Sequence, residues 1–302
     1  MRANCSIPKT NPAERGSVAV DVKTMVINKV DIQTQIADAV EAARRTNPLV
    51  GSVTNAVTVN FVANAQLAVG GSAAVVYLSE EGEILSNVGN AFYINIGTLL
   101  PIHEHALPLI AKGLHDSAKP WVLDPVAVGI GTLRTGLLMQ FKAYMPSIIR
   151  GNASEIIALA NLWDNKKGET SNVRGVDSTD AVSSARAAAV ALAKQTGGAV
   201  AVSGKTDLIT NGEIVVYSYG GSHYFEKITG AGCSLGGITA VYAATSSPFI
   251  AALAATAIYN LAGHRAESKA SGPGSFHVEF IDELYKAKAV DVANNQFEVE
   301  EA

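Results

Sequence analysis

Cysteine is scarce: the chain of 302 residues holds only Cys5 and Cys233, far apart and in no motif spacing. That argues against a disulfide framework and against a thiolate zinc site. There is no run of basic residues, and the formal net charge is −4. Nucleic acid and anionic membrane surfaces both call for clustered positive charge, so neither is an expected partner. The first twenty residues, MRANCSIPKTNPAERGSVAV, contain no continuous apolar segment of the kind a secretory signal carries. Together with the scarce cysteine, this points to a reducing, cytoplasmic setting. One long uncharged stretch, Ser234 to Gly263, is cut by TSSPF (245–249) and interrupted by Tyr242 and Asn260. It predicts two buried helices joined by a short turn rather than a membrane span.

What the chain does have is small apolar side chains. Hydrophobic residues make up 48%, mostly alanine and valine, and aromatics only 6%. Such side chains suit helices packed closely on a parallel sheet. From Val30 onward strand-like and helix-like segments alternate. AAVVYL (73–78), AFYINIG (91–97), WVLDPV (121–126), SIIRGN (147–152) and AVAVSG (199–204) are short apolar runs with polar or glycine ends. They read as buried parallel strands. Helical patterns lie between them at 80–88, 101–118, 153–163 and 179–197. Asn211-Gly212 inside DLITNGEIVVYSY marks a hairpin. The expected fold class is α/β, a mostly parallel sheet with helices on both faces. Ligands bind such sheets at the C-terminal strand ends. Asn95, Gly97, Thr98, Asp124, Arg150, Asn152, Glu155, Ser203, Gly204 and Asp207 are therefore expected at one edge.

Each motif has a plain reading beside a chemical one. In KITGAGCSLGG (227–237) a glycine turn opens a helix, where unpartnered N–H groups and the helix dipole favour an anion. By itself a G-x-G is a common tight turn. Cys233 falls in the first helical turn; such a position lowers a thiol's pKa, yet most free cysteines are small buried hydrophobes. Asp124 in LDPV is either a turn-forming Asp-Pro or a Mg2+ carboxylate. In IRGNASEI, Asn152 and Glu155 have the spacing of a capping box, and the same glutamate presents a carboxylate at a strand end. Asn55, Asn60 and Asn64 recur in an apolar segment and either line a polar pocket or bond neighbouring backbone. SGPGSF (271–276) reads as a structural turn, and the six histidines have no metal spacing.

Taken in order, NPLV…TN…NF…AN, NIGTL, LDPV, IRGNASEI, GVD, SG..D.ITNG, K.TGAGC and GPGSF resemble the hydroxyethylthiazole kinase family of the ribokinase-like superfamily. The resemblance runs from about residue 33 to 285. It implies a three-layer α/β/α sandwich over 31–290, preceded by a polar extension (1–30) and followed by an acidic tail (291–302). It also implies ATP-dependent phosphorylation of the hydroxyl of 4-methyl-5-(2-hydroxyethyl)thiazole, a step in thiamine salvage, with Mg2+ and a homotrimer. Residue by residue, it assigns Cys233 to the catalytic position and Arg150, Asn152, Ser203, Gly230 and Gly232 to ATP. Asp124 and Glu155 go to the metal, and Asn55, Val75, Gly97 and Gly230 to the acceptor alcohol.

The chain departs from the family pattern mainly on the acceptor side. Gly51 stands where PLVH has histidine. Ala73 and Val75 replace the proline and methionine of SPVM, Val62 alters NFTAN, and Lys205 alters TGE. Gly51 and Val75 remove side-chain volume, so a roomier or differently polar pocket is expected. A kinase of the same fold acting on another small heterocyclic alcohol, an ATP-dependent hydrate dehydratase and a non-catalytic nucleotide-binding protein remain alternatives.

Overall fold

The computed structural model describes residues 29–164 and 179–302. Cys5, the GVD motif (175–177) and all but the last two residues of the expected N-terminal extension lie outside the described residues.

Nine strands make one sheet in the order β2-β1-β3-β4-β5-β6-β7-β8-β9. They are β1 (Leu49–Val53), β2 (Ser72–Val75), β3 (Ala91–Asn95), β4 (Trp121–Asp124), β5 (Ile148–Asn152), β6 (Ala199–Ser203), β7 (Asp207–Thr210), β8 (Ile214–Ser218) and β9 (Phe297–Glu301). From β2 to β6 every neighbouring pair is parallel; β7, β8 and β9 add on antiparallel. β3 and β4 are buried at every residue. Uninterrupted burial is what their unbroken apolar runs require, because helices cover both faces.

On one face lie α1 (Lys29–Thr46), α2 (Val59–Ala68), α8 (Ala231–Ala243), α9 (Pro248–Glu267), α10 (Pro273–Lys286) and α11 (Ala289–Ala293). On the other lie α3 (Ser79–Val88), α4 (His103–Asp116), α5 (Thr132–Phe141), α6 (Ala153–Trp163) and α7 (Thr179–Thr196). Strand alternation divides the core: Tyr93, Val122 and Ile148 pack toward the first layer, Phe92, Leu123 and Ile149 toward the second. The expected three-layer α/β/α sandwich is the observed one. The uncharged stretch forms α8 and α9 with a turn between them, and no helix among the described residues is long and apolar enough to cross a membrane.

Three boundaries differ from expectation. α1 starts at Lys29, before the expected domain start. β1 was not foreseen, because LVGSV is short and its glycine hides the apolar run. The segment read as an acidic tail is also corrected. It opens within α11 and ends as β9, whose Phe297 is buried at 2% exposure while Glu298 and Glu300 face water. The acidic composition masked a period-2 alternation.

Candidate active site

The parallel register sets Asn95 beside Asp124 and Asn152 beside Ser203 at the C-terminal ends of adjacent strands. Tyr93, Asn95, Asp124 and Arg150 all point to the layer that holds α8, since each shares parity with a core residue of that face. α8 begins at this edge. Its N-cap Gly230 has φ +89°, a left-handed conformation that favours glycine, and a Cβ there would lie 2.7 Å from Thr58 Cγ2. Gly232 meets Arg150 equally closely: a Cβ would lie 2.7 Å from Nη1. The KITGAGC turn thus brings the start of a 13-residue helix directly over the strand ends.

Asp124 is fully buried. Its Oδ2 accepts from the Tyr93 hydroxyl (2.9 Å), Asn95 Nδ2 (2.9 Å) and Arg150 Nη1 (3.3 Å). Its Oδ1 is buried with no partner, an arrangement that costs stability unless something else fills the place. Arg150 also donates from Nη2 to Ser203 Oγ at 2.7 Å, and its Nε is left bare. Burial works against the Arg150 charge, but Asp124, and after it Glu155, hold the guanidinium above its ordinary range.

Glu155 closes a full capping box with Asn152 at the start of α6. Its Oε2 accepts from Asn152 N at 2.9 Å and its Oε1 from Ala127 N at 3.2 Å. Burial, then the charge of Asp124, pushes the Glu155 carboxyl above the usual carboxylate range. A buried carboxylate whose proton affinity a neighbouring carboxylate raises marks a place where a cation is favoured. Hard oxygen donors and a bare buried Oδ1 fit Mg2+. No group of three His, Cys, Asp or Glu side chains is assembled among the described residues, so the ion would complete its shell with water and phosphate oxygens.

Cys233 Sγ accepts from Asn95 Nδ2 at 3.2 Å and Asn55 Nδ2 at 3.4 Å. Burial, then Asp124, pushes the thiol up, so it is protonated at neutral pH. This reverses the lowered pKa that its helix position alone suggests. Asn55 is buried and also donates to Asn95 Oδ1 at 3.2 Å. Gly97 N donates to the same oxygen at 2.9 Å, and a Cβ on Gly97 would crowd it. Asn95 is therefore the hub of the cluster, although sequence reasoning gave it no role beyond its strand end. The hydroxyls of Thr54 and Thr58, beside Asn55 on the loop after β1, are buried and unpartnered. Thr58 packs on the Gly230 turn, so this loop offers an incoming ligand unsatisfied polar groups.

Not every candidate joins the cluster. Val75 ends the edge strand β2, in register with Ser52 and separated from β3 by β1. Asn60 and Asn64 bond one another at 3.0 Å on an exposed face of α2, so neither lines the pocket. Gly51 needs a correction. Its missing side chain leaves no room, because the ring of buried Phe92 on the neighbouring strand occupies the place of a Cβ.

A family model described as the hydroxyethylthiazole kinase family matches residues 40–289. The chain belongs to the hydroxyethylthiazole kinase family. It is 50% identical over 288 residues to a hydroxyethylthiazole kinase of Bifidobacterium longum, covering 89% of this chain and 92% of that protein. It is 43% identical over 245 residues to one of Cereibacter sphaeroides, covering 81% and 91%. Among solved structures, a hydroxyethylthiazole kinase protein from Pyrococcus horikoshii OT3 superposes with a TM-score of 0.78 at 29% identity over 88% of this chain and 98% of that one. The pyridoxal kinase of Staphylococcus aureus in complex with AMP-PCP and pyridoxal shares the fold alone, at TM-score 0.52 and 15% identity over 84% of this chain and 99% of that one. The family and these neighbours identify the sandwich as ribokinase-like.

Proposed function

We propose that this chain transfers the γ-phosphoryl group of ATP to the hydroxyl of 4-methyl-5-(2-hydroxyethyl)thiazole, the alcohol named in the family, and so serves thiamine salvage. One observation carries the reading: a helix N-terminus and a buried guanidinium face each other across an edge that also holds a bare carboxylate oxygen. Two centres of like sign at that distance repel, and an anion that touches both from the side relieves the repulsion. A polyphosphate with its divalent cation supplies that anion and also meets Asp124.

In this reading Arg150 and the backbone N–H groups of Gly232 and Cys233 hold the phosphates, with Ser203 orienting Arg150. Asp124 and Glu155 would hold Mg2+, which would supply positive charge to offset that of the phosphates. The alcohol lies between the Thr54–Thr58 loop and Cys233. Its oxygen attacks phosphorus, the bond to the ADP oxygen breaks, and the alcohol proton leaves with the transferred group or to solvent. Cys233 is already a thiol, so it serves to position the hydroxyl rather than to take its proton. Most of the acceleration comes from orientation and fixed charge.

The family resemblance supports a homotrimer in a cytoplasmic setting. The four-residue edge strand β2 supports assembly too, since among the described residues no strand pairs with its outer side. Val75 at its end is half-buried and small, which favours a second reading in which the acceptor is another small heterocyclic alcohol. The test is mass spectrometry of products from ATP, Mg2+ and a panel of small alcohols that includes the thiazole and a nicotinamide hydrate. A phosphorylated thiazole supports the first reading and another phosphorylated alcohol the second. Loss of water from the hydrate with ADP and phosphate, or no reaction with ATP still bound, overturns both.

A further inference from the structure

Tyr93 lies in the middle of β3, fully buried, with its hydroxyl at the site edge. Its ring occupies a notch that α8 leaves by having glycine at position 236. A Cβ on Gly236 would lie 2.5 Å from Tyr93 Cε2 and 2.6 Å from the phenolic oxygen. A glycine inside a helix is less stable than an alanine, and here it admits an aromatic hydroxyl to the strand ends.

The direction of the hydrogen bonds follows from inventory. An ionised carboxylate only accepts, so the Tyr93 O–H donates to Asp124 Oδ2 at 2.9 Å and its oxygen is left to accept from Asn95 Nδ2, also at 2.9 Å. Asn95 Nδ2 has two hydrogens but three acceptors within reach: Tyr93, Asp124 and Cys233. The Tyr93 oxygen is thus held between Asp124 and Asn95, which fixes where Asp124 Oδ2 lies.

We propose that Tyr93 is a positioning residue: its hydroxyl pins Asp124 Oδ2 toward Arg150, leaving Oδ1 free to meet a divalent cation. Gly236 is part of the same device because it admits the ring. The inference rests on the phosphoryl-transfer reading and deepens it on the side of the metal.

The test uses Tyr93→Phe, which keeps the ring in its notch and removes only the donor, and Gly236→Ala, which keeps the donor and displaces the ring. ADP binding is measured by calorimetry with and without Mg2+, beside kcat and KM for ATP and the alcohol. Both variants are expected to weaken Mg2+-dependent ADP binding by about fivefold to tenfold, the scale of one hydrogen bond to a charged group. ADP binding without Mg2+ stays unchanged, and kcat falls by about tenfold while KM for the alcohol stays within about twofold. A folded Tyr93→Phe protein with wild-type metal dependence and kcat overturns the inference. So does an equal loss of ADP binding with and without Mg2+, which marks general loosening, or a Gly236→Ala protein with wild-type metal dependence. Wild-type protein that binds ADP identically with and without Mg2+ overturns the assignment of Asp124 and Glu155 to the metal, and the inference with it.

Discussion

A Cβ on Gly232 would lie 2.7 Å from Nη1 of Arg150. The guanidinium thus sits against the first turn of α8 with no room for a side chain between. Gly232→Ala should push Arg150 off both Asp124 and Ser203. Calorimetry is expected to show ATP binding at least about tenfold weaker, with the fold retained, the loss corresponding to one or more charge-assisted bonds. Unchanged ATP affinity would remove Arg150 from the phosphate site.

Cys233 makes its contacts through sulfur as an acceptor from Asn55 and Asn95. Cys233→Ala is expected to lower kcat by roughly tenfold to a hundredfold, the usual scale for a misplaced reacting group, while leaving ATP affinity unchanged. Equal kcat in the mutant would sink the assignment.

Because burial and Asp124 push the Cys233 thiol up, its thiolate fraction at neutral pH is below that of a free cysteine. In a Cys5→Ser background, iodoacetamide should alkylate Cys233 more slowly than it does a model thiol at pH 7. The rate should rise only in alkaline solution. Rapid alkylation at pH 7 would restore the case for a thiolate base.

Asp207 ties the turn after Ser203 to α9. Its Oδ1 accepts from Gly204 N at 3.0 Å and its Oδ2 from Asn260 Nδ2 at 2.8 Å. Burial nevertheless pushes its carboxyl up to about 6, from an ordinary 3.8. Between those values the folded chain holds a proton that the unfolded chain has lost, so this group's contribution to stability falls as pH rises from about 4 to about 6. In urea unfolding, wild type should lose on the order of 2 kcal/mol relative to Asp207→Asn across that window. A constant difference between the two proteins would place the Asp207 titration at its ordinary value.

β9 completes the sheet at β8, and Lys29 Nζ donates to Phe297 O at 2.9 Å, joining the two ends of the described chain. Truncation after Asn295 removes buried Phe297 and uncovers the β8 edge. A loss of roughly 2–3 kcal/mol in unfolding and concentration-dependent association by light scattering are expected. Unchanged stability would mean that the strand is ornamental.

β3 to β6 were legible because each is a short apolar run ending in a polar residue at the C-terminal edge, whereas Gly51 hid β1. The capping box of Asn152 and Glu155 was visible for a similar reason, since helix-start chemistry depends on local spacing. Asn95 was less visible as a hub: its partners come from residues 55, 93, 97, 124 and 233, which only tertiary register brings together. The thiol's raised pKa was hidden for the same reason, because a helix position speaks of the dipole and says nothing of the carboxylate opposite. β9 was overlooked through composition, although Phe297 and Val299 alternate with glutamates.

Gly51 and Phe92 behave as one unit split between two strands. Any larger residue at 51 would have to evict the ring at 92, so neither position can drift alone without a clash or a hole. A departure that looks like an enlarged acceptor pocket in the linear text is a trade of volume across a strand boundary. Efforts to retune substrate range by refilling position 51 are accordingly expected to strain the core against Phe92 rather than to reshape a binding surface.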